Sequence, residues 1–454
     1  MSRIESPTLH TKRRVAAPVP DQVDVAIIGA GLGGLVSGAR LARAGHRVAV
    51  FDGHYVAGGC ATMFSRGPKA AQYNFDIGLH YLGDCGEGGK IPTILRDVGV
   101  ETEFLPMKQD GYDTLVFPNP QHQGEWVDFS LPVGLAPYRE KLVEMFPAER
   151  KGIDRYVRFV GEVDSIGREA EKAMENRGLL KNLSVLAKVA LRGRLVAQYQ
   201  NATIGAVLDD CTQDPLLRAI MLGQNGDYGL PPSRVSALLH AGLVAHYFRG
   251  AYYPKGGGQV IADRLAGVIE ENGGGVFLRR PVDEIVVENG AAVGVSVLDS
   301  KGENRQVVRA KSVVSNADLI RTLTQLLPQE HLPQKWSDRL SRFEMGGALF
   351  ILFLGLKGKG PDSPVHGLGA GNLWSFSTTD MEALYANIDR GDLAPQAAYF
   401  TSGSLKDPGT NGHAPAGFTS LEIMTMVPSD LAAWGLDPKK VVHDGIQRPT
   451  DYRK

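Results

Sequence analysis

The sequence predicts an α/β protein, a parallel sheet flanked by helices with an α+β unit inserted into it. Three observations carry that prediction. The run VDVAIIG (23–29) is nearly all apolar and ends in glycine, as a strand buried on both faces does. A helical pattern follows at once, with Leu35, Ala39, Leu41 and Ala42 at helical spacing and Gly45-His46 as its stop. RVAVFD (47–52) then reads as a second strand, completing the start of a βαβ unit.

The remaining elements follow in order. Residues 1–22 carry prolines at 7, 18 and 20 and no periodicity, so a flexible arm is expected, with order starting at Val23. Residues 91–250 read as mostly helical. Ile153, Tyr156, Val157, Val160, Val163 and Ile166 form one stripe there, and Pro231-Pro232 open a helix reaching Phe248. After Gly256 to Gly258 comes a helix (259–272), then alternating strands over 276–300 with a hairpin-type Asn289-Gly290 turn. VVRAKSVVSNAD (307–318) returns to the first sheet, whereas GGALFILFLGLKG (346–358), AAYFTSG (397–403) and SLEIMTMVP (420–428) suggest a second. The expected division is an arm (1–22), one domain from 23–90 and 251–330, and another from 91–250 and 331–454.

Composition narrows the function. Of 454 residues 55 are glycine, about 12 % against an average near 7 %, and 15 of them fall between Gly29 and Gly89. There is no G-X-Y period and 43 % of the chain is hydrophobic, so clustered glycine suggests backbone held close to a ligand. Lys plus Arg (49) balances Asp plus Glu (50), which leaves no global field for nucleic acid. Cys60, Cys85 and Cys211 form no CxxC pair and no even disulfide framework, and the 11 histidines are scattered, so no metal site is expected. No secretory signal and no uninterrupted apolar run of spanning length is visible, so a cytoplasmic protein is expected.

Gly29-Ala30-Gly31-Leu32-Gly33-Gly34 is a G-x-G-x-x-G placed after a buried strand and at a helix start, where its mechanism needs it. Gly29 permits the tight turn, Gly31 lets a pyrophosphate approach, and Gly34 lets helix pack on strand. The helix N-terminus adds free N–H donors and partial positive charge. Asp52 ends the second strand, 23 residues after Gly29, where a carboxylate can accept from both ribose hydroxyls. An acid there disfavours a 2′-phosphate and points to FAD or NAD. The fold is therefore Rossmann-type.

Ala57-Gly58-Gly59-Cys60 resembles the extended flavoprotein pattern of the glutathione-reductase-like, two-dinucleotide-binding-motif class. GGCATMF (58–64), FDIGLHYLGD (75–84), YYPKGGGQVIADRLAGVIEENGG (252–274) and VVSNAD (313–318) further resemble the retinol saturase branch of the phytoene desaturase and carotenoid isomerase superfamily. The resemblance implies FAD as cofactor, with Gly29, Ala30, Gly31, Gly33, Gly34 and Asp52 on its adenosine diphosphate half. It implies that Gly58, Gly59 and Cys60 run along the pyrophosphate toward the flavin, that Val282 pairs with adenine through its backbone, and that Gly256 and Gly257 pack beside the cofactor. For Gly256 to Gly258 a flexible loop is the competing reading. The expected substrate is an apolar retinoid, carotenoid or related polyene that is saturated, desaturated or isomerised.

Within FDIGLHYLGD, His80 and Tyr81 are the candidate catalytic groups, with Tyr253 and Lys255 as structural neighbours. His80 could donate a proton, and a core histidine bonded to backbone is the alternative. Five basic residues and no acid occupy 176–198, with Arg177, Lys181, Lys188 and Arg192 opposite Leu179, Leu183, Leu186 and Ala190. Such a helix lies on an anionic membrane or packs on the core. A rival class is also open: Rab escort and GDP-dissociation-inhibitor proteins resemble the same scaffold without redox function. Related enzymes continue beyond the segment matching 417–437 with a glycine-rich stretch closing over the flavin, so weak flavin retention is expected of these 454 residues.

Overall fold

The computed structural model describes residues 18–69, 71–175, 193–343, 346–410 and 412–435. Strand β1 (Gln22–Ile28), helix α1 (Leu32–Arg43) and strand β2 (Val48–Asp52) form the expected βαβ start, with Val25 opposite Val48 in parallel register. Gly275–Leu278 joins the free side of β2, and Arg305–Ser315 joins β1, both parallel. The antiparallel strands Ala291–Leu298 and Val282–Glu288 complete the sheet, joined by a turn in which Asn289 and Gly290 both have positive φ.

Both faces of this sheet are covered, which is why β1 and β2 are apolar without alternation. On one face Val25, Ile27 and Val50 pack with Leu35 and Ala39 of α1 and with Leu265 and Ile269 of the helix Gln259–Glu271. On the other, Ala26, Ile28 and Phe51 meet Phe277, Val295 and Val308.

The second sheet runs Ala348–Lys357, Phe418–Val427, Ala397–Thr401, Asn372–Phe376, Asp113–Pro118 and Trp126–Leu131. Its inner residues share a core with the helices Arg150–Glu175 and Ala237–Phe248, where Ile153, Tyr156 and Val160 of the expected stripe are buried.

Three expectations need correction. Residues 91–250 are not helical throughout: after the helix Lys90–Asp97 come strands, among them Asp113–Pro118, which alternates buried and half-buried positions, the period of a one-sided strand. The helix ending at Phe248 starts at Ala237 rather than behind Pro232, because the chain there pairs with 202–204: Ile204 N–H donates to Val235 O (3.1 Å) and Ala237 N–H to Ala202 O (3.0 Å). Order reaches back into the expected arm, since Gln22 pairs with Arg309 and Arg309 N–H donates to Asp21 O (2.9 Å). Of the basic segment 176–198, residues 176–192 lie outside the described residues. The helix Arg194–Tyr199 that follows buries Leu195 and Tyr199 in the core. Among the described residues no helix is long and apolar enough to cross a membrane.

Candidate functional site

The nucleotide end is built from backbone. Gly29 has φ +97°, and a Cβ on Gly34 would lie 2.1 Å from the Gly29 carbonyl oxygen, so turn and helix touch with no room between them. Gly31 caps α1 without a side-chain hydrogen bond and the first turn holds no acid, which leaves its leading N–H groups free for an anion. Asp52 reaches the same turn: Oδ2 accepts from Ala30 N–H (2.7 Å) and Oδ1 from His54 N–H (2.8 Å). Gly58 N–H donates to Ala30 O (2.7 Å), and Gly59, with φ +58°, would place a Cβ 3.1 Å from Gly31 Cα. Gly29 to Gly34, Asp52 and Gly58 to Gly59 thus form one cradle, stripped of side chains and lined with donors, which fits the pyrophosphate of a dinucleotide. Val282 begins the strand beside it, where Arg280 N–H donates to Asp52 O (2.8 Å).

Two residues of this end carried no assignment in the sequence. Asn316 follows the strand Arg305–Ser315 and lies over the loop, its Oδ1 2.6 Å from where a Gly33 Cβ would sit. Gln259 is buried at the start of its helix, donating to Ala57 O (2.9 Å) and accepting from Met63 N–H (3.3 Å), so it clamps both sides of Gly58-Gly59-Cys60. A polar residue directly after a strand, or directly after a glycine run, was the available signal.

From this end the chain leads to a cavity. Gly78 packs on Cys60, with a Cβ there 3.2 Å from Cys60 O, and two residues later His80 and Tyr81 line a space of about 230 Å³. Its other walls are chiefly aromatic and aliphatic: Ile77, Leu349, Trp374, Tyr399, Met424 and Met426. Tyr247 and Asp227 supply polar atoms. Asp227 reaches water but stands in a concave wall, and the protein around it, then the charge of Asp113, pushes its carboxyl up to about 8.

Tyr81 turns its hydroxyl into a buried hydrogen-bond network. It donates to Asp113 Oδ2 (2.8 Å), which also accepts from Gln224 (3.0 Å), while Asn372 donates to Oδ1 (2.8 Å). Its ring stacks on Tyr247 at 4.4 Å, and burial raises the phenol well above its ordinary value. His80 differs: Nδ1 lies 2.9 Å from Glu422 Oε2, and the ring borders the cavity. Burial lowers its imidazole to about 4, so the ring is neutral at pH 7.

Behind His80 stands a buried set of charges. Glu422 Oε1 accepts from Asp76 N–H (3.0 Å), Asp76 accepts from the Tyr253 hydroxyl and from Gly258 N–H (3.2 Å), and Lys406 donates to His80 O (2.7 Å) and to Thr401 Oγ1. Burial raises Asp76 and Glu422 and lowers Lys406. Gly256 N–H donates to Asp407 (2.8 Å), and a Cβ on Gly257 would strike Met63 and approach Asp76. These glycines are therefore packed rather than loose. Lys255 lies apart, paired with Glu103 at 2.7 Å.

Comparison with known proteins matches residues 32–389 to the family described as flavin-containing amine oxidoreductase. The all-trans-retinol 13,14-reductase of Danio rerio is 30 % identical over 97 % of this chain and 71 % of its own length. The chloroplastic prolycopene isomerase of Daucus carota is 26 % identical, over 85 % of this chain and 62 % of its own. Among solved structures, an oxidoreductase from Methanosarcina mazei superposes with a TM-score of 0.60 at 20 % identity, over 90 % of this chain and 80 % of that one.

Proposed function

Because the chain belongs to the flavin-containing amine oxidoreductase family, on its retinol saturase branch, we propose that it is an FAD-dependent enzyme acting on a carbon–carbon double bond of an isoprenoid polyene, a retinoid or a carotenoid. A flavin-dependent oxidoreductase is what the family consists of, and FAD is the form the cradle suits: free N–H groups for a pyrophosphate and Asp52 for a ribose. Gly29, Ala30, Gly31, Gly33, Gly34 and Asp52 would hold the adenosine diphosphate half, Val282 the adenine, and Gly58, Gly59 and Cys60 the stretch toward the ring. Gly256 and Gly257 would keep its flank free of side chains. Bound there, the flavin supplies or accepts hydride.

The observation that carries the substrate class is the cavity beyond Cys60, walled by Trp374, Tyr399, Met424, Met426, Leu349 and Ile77. Such walls bind hydrocarbon by excluding water and offer few anchors for a polar substrate. His80 would give or take the proton that double-bond chemistry needs, while Tyr81, through Asp113, would fix the cavity wall. The non-redox escort alternative shares this fold, and the glycine cradle with Asp52 favours the enzyme.

The test is anaerobic mixing of flavin-loaded protein with retinol, phytoene and poly-cis-carotene, with chromatography of the products. A saturated, desaturated or isomerised product from one of them is expected. Absence of flavin absorbance after addition of FAD, or unchanged recovery of every polyene, would overturn the reading.

A further inference from the structure

His80 borders the cavity with its Nδ1 held by Glu422, a residue 342 positions later in the chain and 2 % exposed, so Nε2, on the other side of the ring, is the nitrogen left for a substrate. A neutral imidazole carries its single proton on either Nδ1 or Nε2, and the partner of Nδ1 decides which. With Glu422 ionised, Nδ1 must donate to it and Nε2 faces the cavity as a bare lone pair. With Glu422 protonated, its O–H donates to Nδ1 and Nε2 faces the cavity with a proton.

Resting on the function proposed above, we infer that Glu422 is a positioning residue that works as the proton store behind His80, its protonation state selecting whether His80 presents an acid or a base to the substrate. In the saturating direction the Nε2 proton passes to one alkene carbon and Nδ1 takes the proton of Glu422; a reduced flavin, when bound, would supply the hydride for the adjacent carbon. One π bond is replaced by two C–H bonds. His80 ends neutral as the other tautomer, and Glu422 ends as carboxylate. The reverse sequence serves desaturation.

The surroundings suit this role. The N–H of Asp76, from the strand Tyr73–Asp76, favours the ionised Glu422 carboxylate, whereas the carboxyls of Asp76 and Glu422 oppose each other's ionisation. Lys406 from the helix Gly403–Lys406 and the buried His413 act in the opposite sense. Tyr253 faces the cluster through Asp76, and Tyr399 borders His80 on the cavity side at 6.1 Å between rings. Burial outweighs the helpful charges and pushes the Glu422 carboxyl up to about 7, so both of its states exist near neutral pH. The imidazolium is held down by burial and by the charge of Lys406, which leaves tautomer exchange as the available route.

The direct test is nitrogen NMR of protein labelled with ¹⁵N-histidine, with the His80 signals assigned by His80→Gln. Between pH 5 and 9 the wild-type His80 tautomer should invert from Nε2–H to Nδ1–H. Glu422→Gln, whose amide can donate to Nδ1 at every pH, should lock the Nε2–H form, and Glu422→Asp should restore the inversion. The turnover pH profile should lose the same inflection in Glu422→Gln, with a rate loss on the order of 100-fold. A wild-type tautomer that does not change over this range overturns the inference, as does a pH profile altered by Asp227→Asn and not by Glu422→Gln. The NMR readout needs no substrate, so failure of every polyene to react would sink the proposed function while leaving the Glu422 assignment to be decided separately.

Discussion

At the nucleotide end Gly34 leaves no room for one added atom, whereas at the cavity end Asp113 leaves none of its donors without a partner. The first region is specified by what is left out: side chains are absent at 29, 31, 33, 34, 58 and 59 so that three loop segments touch. The second is specified by what is put in and answered. Asp113 meets Tyr81, Gln224 and Asn372, and Glu422 meets Asp76 and His80. A contact made by absence tolerates losing atoms and fails on gaining them. A buried charge fails as soon as a partner is lost.

Substitutions at each end should therefore fail in different ways. The largest effect is expected for Asp113→Ala, which strands three buried donors and should cost about 4 kcal/mol in urea unfolding of the flavin-free protein. A loss under about 1 kcal/mol would break the contrast. Gly34→Ala should cost about 3 kcal/mol through the clash with Gly29 O. It should also abolish flavin uptake, read by absorbance after gel filtration, and retained flavin would show that the turn can open.

A pH effect comes next. His240, buried between the hydroxyls of Tyr156 (2.8 Å) and Tyr228 (3.1 Å), is lowered by burial to about 3. Its folded value lies below its unfolded one, so its contribution is complete above about pH 6.5 and drains away as pH falls toward 3, by about 1.4 kcal/mol per pH unit. The stability difference between wild type and His240→Gln at pH 7, 6 and 5 should shrink with that slope. Equal slopes for both proteins would refute it. The smallest effect is expected for Lys255→Met, since its pair with Glu103 is solvent-facing: the urea midpoint and flavin uptake should both stay unchanged.

The same contrast explains how much could be read in advance. Most of the nucleotide end lies within 32 consecutive residues, Gly29 to Cys60, and its signal is glycine at fixed offsets, which survives in a linear string. Gln259, Val282 and Asn316 join it from far away, and none of these residue types marks a site by itself. The cavity end unites Asp76, His80, Asp113, Lys406 and Glu422 from separate elements, and Asp113 meets Asn372 only because the two strands run parallel in one sheet. No local period encodes that meeting. Tyr81 is an example: it stands beside His80 in sequence, and its hydroxyl bonds Asp113, 32 residues later on the strand Asp113–Pro118. Asp113–Pro118 was itself hidden because six alternating residues are a weak signal beside a long helical stripe.

The order of strands in the first sheet also has a consequence in time. β1 and β2 leave the ribosome early, but Gly275–Leu278 and Arg305–Ser315, the neighbours that cover their open sides, follow more than two hundred residues later. At roughly 5–20 residues per second that interval lasts about 10 to 45 s. Throughout it, two apolar strands wait with unpaired edges while the interposed segment is made. The glycine turn is made first, yet it becomes a binding site only once these later strands have been added. Yield of cofactor-loaded protein should therefore depend on translation speed and chaperone supply as much as on affinity.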